Sequence, residues 1–232
     1  MDSSGLPQTQ ADSLIALYSQ GKIQEALNNS EALSRDYPDD PLLYHISGAC
    51  FQALGQAEAA VKSHERAVAI KPDYAEAHNN LGITLQALGH LEAAVKSYEK
   101  ALVIKPDFAE THNNLGIILK EPGQLEAAVK HYEQALAIKP DFAEAHSNLC
   151  ELYVKRNMAS ELKNALTRAQ KILPKDEPAL LFRLAQLANL EKRLQDCRDI
   201  LELISPDRLT PKLQPGYSEL LAKTYDKLNI YQ

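Results

Sequence analysis

The chain has 232 residues, a net charge of −6, 45% hydrophobic residues and no tryptophan. Its charge is spread along the sequence without a basic stripe or a long run of one sign, so no nucleic-acid or membrane-surface footprint is expected. No stretch approaches 18 apolar residues, and "MDSSGLPQTQ" lacks a basic region followed by an apolar run, so neither a membrane span nor a secretory signal is expected and the expected compartment is cytoplasmic.

The apolar content is largely Ala and Leu, with few β-branched runs, which favours helices. Prolines 38, 72, 106, 140 and 174 recur every 34 residues, and residues 75–108 and 109–142 agree at 25 of 34 positions. The chain is therefore an array of one repeating unit.

In chain order, residues 7–40 carry the unit mainly through Gly21, Ala26 and Pro38, and residues 41–74 carry it well in "SGACFQALGQAEAAVKSHERAVAIKP". In residues 75–108, Asp73 and Glu76 predict a capping box at the start of a first helix. Ala77, Leu81, Leu85 and Leu88 follow helical spacing, and Gly89 ends the helix. The box recurs at Asp107/Glu110 and Asp141/Glu144, and the terminating glycine at Gly21, Gly55 and Gly123, with Asn157 replacing it once.

A second helix is predicted from about Leu91 to Ile104, with Ala94, Tyr98, Ala101 and Leu102 inward and Pro106 just past its end. Glu92 and Lys96, like Glu58/Lys62 and Glu126/Lys130, are solvated pairs worth a few tenths of a kcal/mol. In 109–142, Pro122 in "LKEPGQ" should end the first helix early and lengthen the turn.

Residues 143–176 are a fair copy, 177–208 a degenerate one with Cys197 near the second-helix Ala place, and 216–232 the first helix of a seventh unit lacking its second. Leu220, Leu221, Tyr225 and Leu228 are then expected to lack a covering helix, which predicts a homodimer through the C-terminal helices and a protein that continues beyond Gln232.

Leu81-Gly82, Gly89, Ala94, Tyr98, Ala101 and Pro106 fill places seven, eight, fifteen, twenty, twenty-four, twenty-seven and thirty-two of a 34-residue unit, and in this the chain resembles the tetratricopeptide repeat (TPR) family. The resemblance covers nearly the whole chain. It implies an all-α fold, a right-handed superhelical solenoid of helix–turn–helix repeats with the first helices lining a concave side. Gly48, Gly82, Gly116 and Cys150 are the small residues at which helices would cross.

His78, His112 and His146 hold the fourth place, with Tyr44 before them, and are read as packing residues. Units spaced roughly 10 Å apart cannot bring three histidines to within about 2 Å of one metal ion. Cys50, Cys150 and Cys197 lack CxxC spacing and read as buried free thiols.

Asn80, Asn114 and Asn148 hold the sixth place, with Asn79 and Asn113 beside two of them. An asparagine amide offers a donor and an acceptor at once, which suits the backbone of an extended peptide advancing about 3.3 Å per residue. The series is similar to the ladder lining the superhelix of O-linked N-acetylglucosamine transferases. The family's carboxylate-clamp pattern is not matched, because Glu76, Glu110 and Glu144 stand where cations would be needed.

The expected binding groove is thus lined by Asn79, Asn80, Ile83, Asn113, Asn114, Ile117, Asn148 and Glu151, takes a protein or peptide partner, and prefers neutral or basic segments because of its glutamates. Nucleotide-binding, metalloprotease and serine-hydrolase motifs are absent, so no catalytic residue, metal or cofactor is assigned. The leading expectation is a protein–protein interaction scaffold. The alternatives are the substrate-recruiting arm of a larger transferase and a self-assembling structural module.

Overall fold

The computed structural model describes residues 5–120, 124–174, 177–209, 211 and 213–228. Among them are thirteen α-helices and no strand. The chain divides into two compact units, Met1–Ile118 and Leu119–Gln232.

The first unit contains α1 (Gln8–Ser19), α2 (Ile23–Asp36), α3 (Pro41–Ala53), α4 (Ala57–Ile70), α5 (Ala75–Ala87), α6 (Leu91–Ile104) and α7 (Ala109–Leu119), whose last residue is the first of the next unit. From α1 to α6 consecutive helices pack against one another, and α1, α3 and α5 lie side by side. The hairpin α5/α6 buries Leu81, Leu85, Ala94 and Tyr98 together with Leu115 and Ile118 of α7. Every helix thereby hides the apolar stripe that its 3.6-residue period creates.

The second unit contains α8 (Leu125–Ile138), α9 (Ala143–Lys155), α10 (Ala159–Ala169), α11 (Pro178–Leu190), α12 (Leu194–Glu202), a 3₁₀ turn at Pro206–Arg208 and α13 (Gln214–Lys227). One core of this unit joins Phe182, Ala185, Cys197, Leu201 and Ile204 to Leu209, Leu213 and Tyr217. The array is an all-α solenoid of helical repeats.

The capping boxes do not form. Tyr74 and Phe142 are the N-cap residues of α5 and α9, neither with a side-chain cap, and α7 begins at Ala109, so Asp73, Asp107 and Asp141 lie one residue too early to cap. Asp40 immediately precedes α3 and does cap, its side chain accepting from the Leu42 amide at 2.9 Å. In the later repeats the place before the helix goes to a ring, covered by the lysine three residues before it, with Lys71 5.3 Å from the Tyr74 ring centre, Lys105 4.5 Å from Phe108 and Lys139 5.0 Å from Phe142.

The left-handed helix ends occur at Gly21, Gly55, Gly89 and Asn157, with Lys192 (φ 60°) as a further one. α7 has 11 residues against 13 in α5, and Pro122, Gly123 and the turn around them lie outside the described residues. Lys192, Ala185 and Leu201 lie 35 residues beyond Asn157, Cys150 and Leu166. One extra residue between Pro174 and Glu177 therefore shifts the sixth repeat.

The C-terminal helix is not left bare. Tyr217 and Thr224 are buried, and Leu220 and Leu221 pack on the second-unit core. Tyr225 and Leu228 are half-buried, and the Tyr225 hydroxyl donates to Glu202 Oε1 at 2.7 Å. The face expected to be uncovered is thus partly covered, because α13 docks on both α11 and α12.

Candidate functional site

The histidines at the fourth place act as staples. Nε2 of His78 donates to the Pro72 carbonyl at 3.0 Å, His112 to Pro106 at 3.1 Å and His146 to Pro140 at 2.9 Å, while the Tyr44 hydroxyl donates to Pro38 at 3.0 Å. Each bond satisfies a carbonyl at the turn into the helix that carries the ring. A carbonyl only accepts, so the proton resides on Nε2. Burial pushes the His112 and His146 pKa values down, and the bond to the proline carbonyl opposes it.

The asparagines divide by place. In the first unit Asn79 and Asn113 are buried, whereas Asn80, Ile83, Asn114 and Ile117 are half-exposed. Asn79 Oδ1 accepts from Thr111 Oγ1 at 2.9 Å and from Asn114 Nδ2 at 3.3 Å, and Asn79 Nδ2 donates to Asn80 Oδ1 at 3.3 Å. Both acceptor positions of Asn79 are filled, which makes it a bracket between α5 and α7. Asn80 and Asn114 each spend one hydrogen bond there and keep the rest of their amide capacity.

In the second unit Asn148 is buried on α9 and Glu151 is half-buried one turn further on. Glu151 Oε1 meets Lys120 Nζ at 3.3 Å and Lys155 Nζ at 3.2 Å, and its Oε2 meets Arg183 Nη2 at 3.3 Å. Three cations share one carboxylate, so this end of the face is positive rather than negative. In the first unit Glu76 is paired to Lys105 at 3.3 Å. The expected acidic field is thus offset at Glu76 and Glu151, whose cations come mostly from outside the helix that carries the carboxylate.

Arg183 is the residue that sequence reasoning missed. With the one-residue shift of the sixth repeat it takes the sixth place, so the series Asn80, Asn114, Asn148 continues into Arg183. The side chain is buried, its Nη1 donates to Gln186 Oε1 at 2.8 Å, and its Nε has no hydrogen-bond partner among the described residues. Burial lowers its pKa, with Glu151 opposing. Two adjoining cavities, about 430 and 200 Å³, lie along α9 and α11 and share Glu151, Arg183 and Leu213 in their walls.

Among the described residues no group of three His, Cys, Asp or Glu side chains could hold a metal ion, and no helix is long and apolar enough to cross a membrane. Cys50, Cys150 and Cys197 are free and buried.

No curated protein matches the chain. Many solved structures do. PilW, titled a widely conserved type IV pilus biogenesis factor, superposes with a TM-score of 0.74 at 21% identity, over 94% of this chain and 99% of its own. Pseudomonas aeruginosa pilF gives 0.76 at 15% identity over 93% and 96%. A thermophilic TPR protein of Thermus thermophilus gives 0.62 at 25% identity over 78% and 98%. The family model described as TPR repeat matches residues 48–89, 85–123 and 118–156 in succession. With that run of matches, residues 48–156 are tetratricopeptide repeats, and stacked helical hairpins continue on both sides of them.

Proposed function

We propose that this protein is a scaffold whose first-helix faces hold a segment of a partner protein in extended form, with side-chain amides clasping the partner's backbone. The observation that carries this reading is the state of Asn80 and Asn114. Both are half-exposed on neighbouring first helices, both are held in place by the buried Asn79, and both retain donor and acceptor capacity. Ile83 and Ile117 stand half-exposed three residues further along the same helices, and would take apolar side chains between the clasped amides. The partner is a protein segment rather than a nucleic acid or a bilayer. A cytoplasmic setting would keep the three buried thiols reduced.

The test is selection of extended peptides from a random library on the intact protein, followed by affinity measurement on variants. Asn80→Ala with Asn114→Ala should weaken the selected peptides by about thirtyfold, from roughly 1 kcal/mol per lost backbone contact, with unchanged helicity. Asn79→Ala should lower stability instead, since it strands the Thr111 hydroxyl. Selected peptides that bind the double variant as tightly as wild type would remove the ladder from the binding site.

A further inference from the structure

We propose, resting on the peptide-groove reading above, that the face of the second unit reads a partner segment carrying one acidic and one basic side chain about three residues apart. The acidic group enters the cavity at the C-terminal half of α9 and α11, and the basic group the cavity at their N-terminal ends.

The two cavities differ in charge. The smaller, about 200 Å³, is walled by Val154, Phe182 and Leu213 and carries Lys155, Arg183 and Gln186, with Glu151 as its one carboxylate. The wall thus carries an excess of one positive charge, and Lys120, outside the wall, shares the same carboxylate with Lys155 and Arg183. The larger, about 430 Å³, is rimmed by Glu144 and Glu177, for which no ion pair occurs among the described residues. Its floor of Ala143, Ala179 and Leu213 would suit the aliphatic stem of a lysine or arginine.

Arg183 joins the two. It is 3% exposed, lines both cavities, and keeps an Nε–H without a partner among the described residues, whereas buried donors in folded proteins are as a rule satisfied. A carboxylate or carbonyl oxygen of a bound segment is the acceptor it lacks. Glu144 and Glu151 stand seven residues apart on one helix, about 10 Å along its axis, which equals roughly three residues of extended chain. The opposed charges also set a direction, because a segment entered backwards would place each charge against its own sign.

Four labelled decapeptides of glycine and serine test this by fluorescence anisotropy on the full chain: one neutral, one with two lysines, one with two glutamates, and one with a glutamate and a lysine three residues apart. The mixed peptide should bind at least fivefold more tightly than each of the others. Lys155→Glu, at an exposed side chain, should erase that advantage and favour the two-lysine peptide. A two-lysine or two-glutamate peptide that equals the mixed one on the wild-type protein overturns the charge reading. Equal binding of all four overturns it while leaving the groove reading intact. Absence of binding to all four at millimolar concentration removes both.

Discussion

A Cβ placed on Gly82 would fall 2.5 Å from Cε1 of Tyr98, so the ring of the second helix rests on the bare backbone of the first. Gly48 stands in the same relation to His64, also at 2.5 Å. Elsewhere the two places trade volume: Leu14 with Ser30, Cys150 with Leu166, Ala185 with Leu201, all buried. The sum of the two side chains is held within limits while either one varies, as close-packed interiors require.

Gly82→Ala should therefore destabilise the first unit by about 1–3 kcal/mol through overpacking. The added methyl has nowhere to go while Tyr98 is fully buried. In a Tyr98→Leu background, which imitates Cys150 over Leu166, the same substitution should cost less than half as much. Urea unfolding of the four members of this cycle gives the coupling. Additive effects would mean that the ring is free to move aside.

Acid should weaken the first unit through His64. The ring is fully buried, both nitrogens lack partners, and the His45 ring lies 5.5 Å away. Burial, and secondarily the neighbouring His45, pushes its pKa down to about 3. The unfolded chain takes up this proton near the ordinary value of about 6.5 and the folded chain does not. The contribution is thus fully present above that value and is lost as pH falls from 6.5 toward 3, at about 1.4 kcal/mol per pH unit. His64→Tyr should reduce the slope by the share of this one ring and stabilise the protein at pH 7, because Gln52 stands where Gln86 accepts the Tyr98 hydroxyl at 2.9 Å. Helicity melts between pH 5 and 7 decide it; an unchanged slope in His64→Tyr would place the acid sensitivity elsewhere.

The helix pairs, their left-handed ends at Gly21, Gly55, Gly89 and Asn157, and the small residues at the crossings were legible in the sequence because a 34-residue period repeats them in register. The capping boxes misled because an Asp followed three residues later by a Glu carries the same spacing whether the helix starts at once or one residue later, and the place before the helix went to Tyr74 and Phe142. The charge of the groove was illegible for a different reason. Glu151 is neutralised by Lys120 and Arg183, 31 and 32 residues away, and a reading along one helix does not see them. Arg183 itself was hidden by the extra residue before α11, which puts Phe182 at the strict 34-residue step from Asn148.

The staple between His112 and Pro106 predicts an unequal pair of substitutions. His112→Phe keeps the ring volume but leaves the Pro106 carbonyl unpaired, and should cost about 1 kcal/mol. His112→Tyr should be close to neutral, since Tyr44 makes the equivalent bond to Pro38 at 3.0 Å. Thermal unfolding of the two variants side by side checks this. If both melt alike, the hydrogen bond contributes nothing and the histidine is retained for its shape.

Lys192 supplies the last case. It closes α11 with φ 60°, the conformation that Gly21, Gly55 and Gly89 adopt at 73–78° without a Cβ to crowd the backbone. Asn157 tolerates it through its short polar side chain, but a lysine has no such relief and carries about 1–2 kcal/mol of strain. The conformation is imposed from outside the residue: the Lys192 amide donates to Asn189 at 3.1 Å and the Arg193 amide to Ala188 at 2.8 Å, closing the helix before α12 turns back on it. Lys192→Gly removes the strain and returns part of the gain as chain entropy in the unfolded state, so a net stabilisation of about 0.5–1 kcal/mol is expected. The effect should be confined to the second unit, visible as slower amide exchange in α11 and α12 with no change in α3 to α6. A variant that exchanges faster in α11 would show that the lysine side chain contributes more there than its backbone costs.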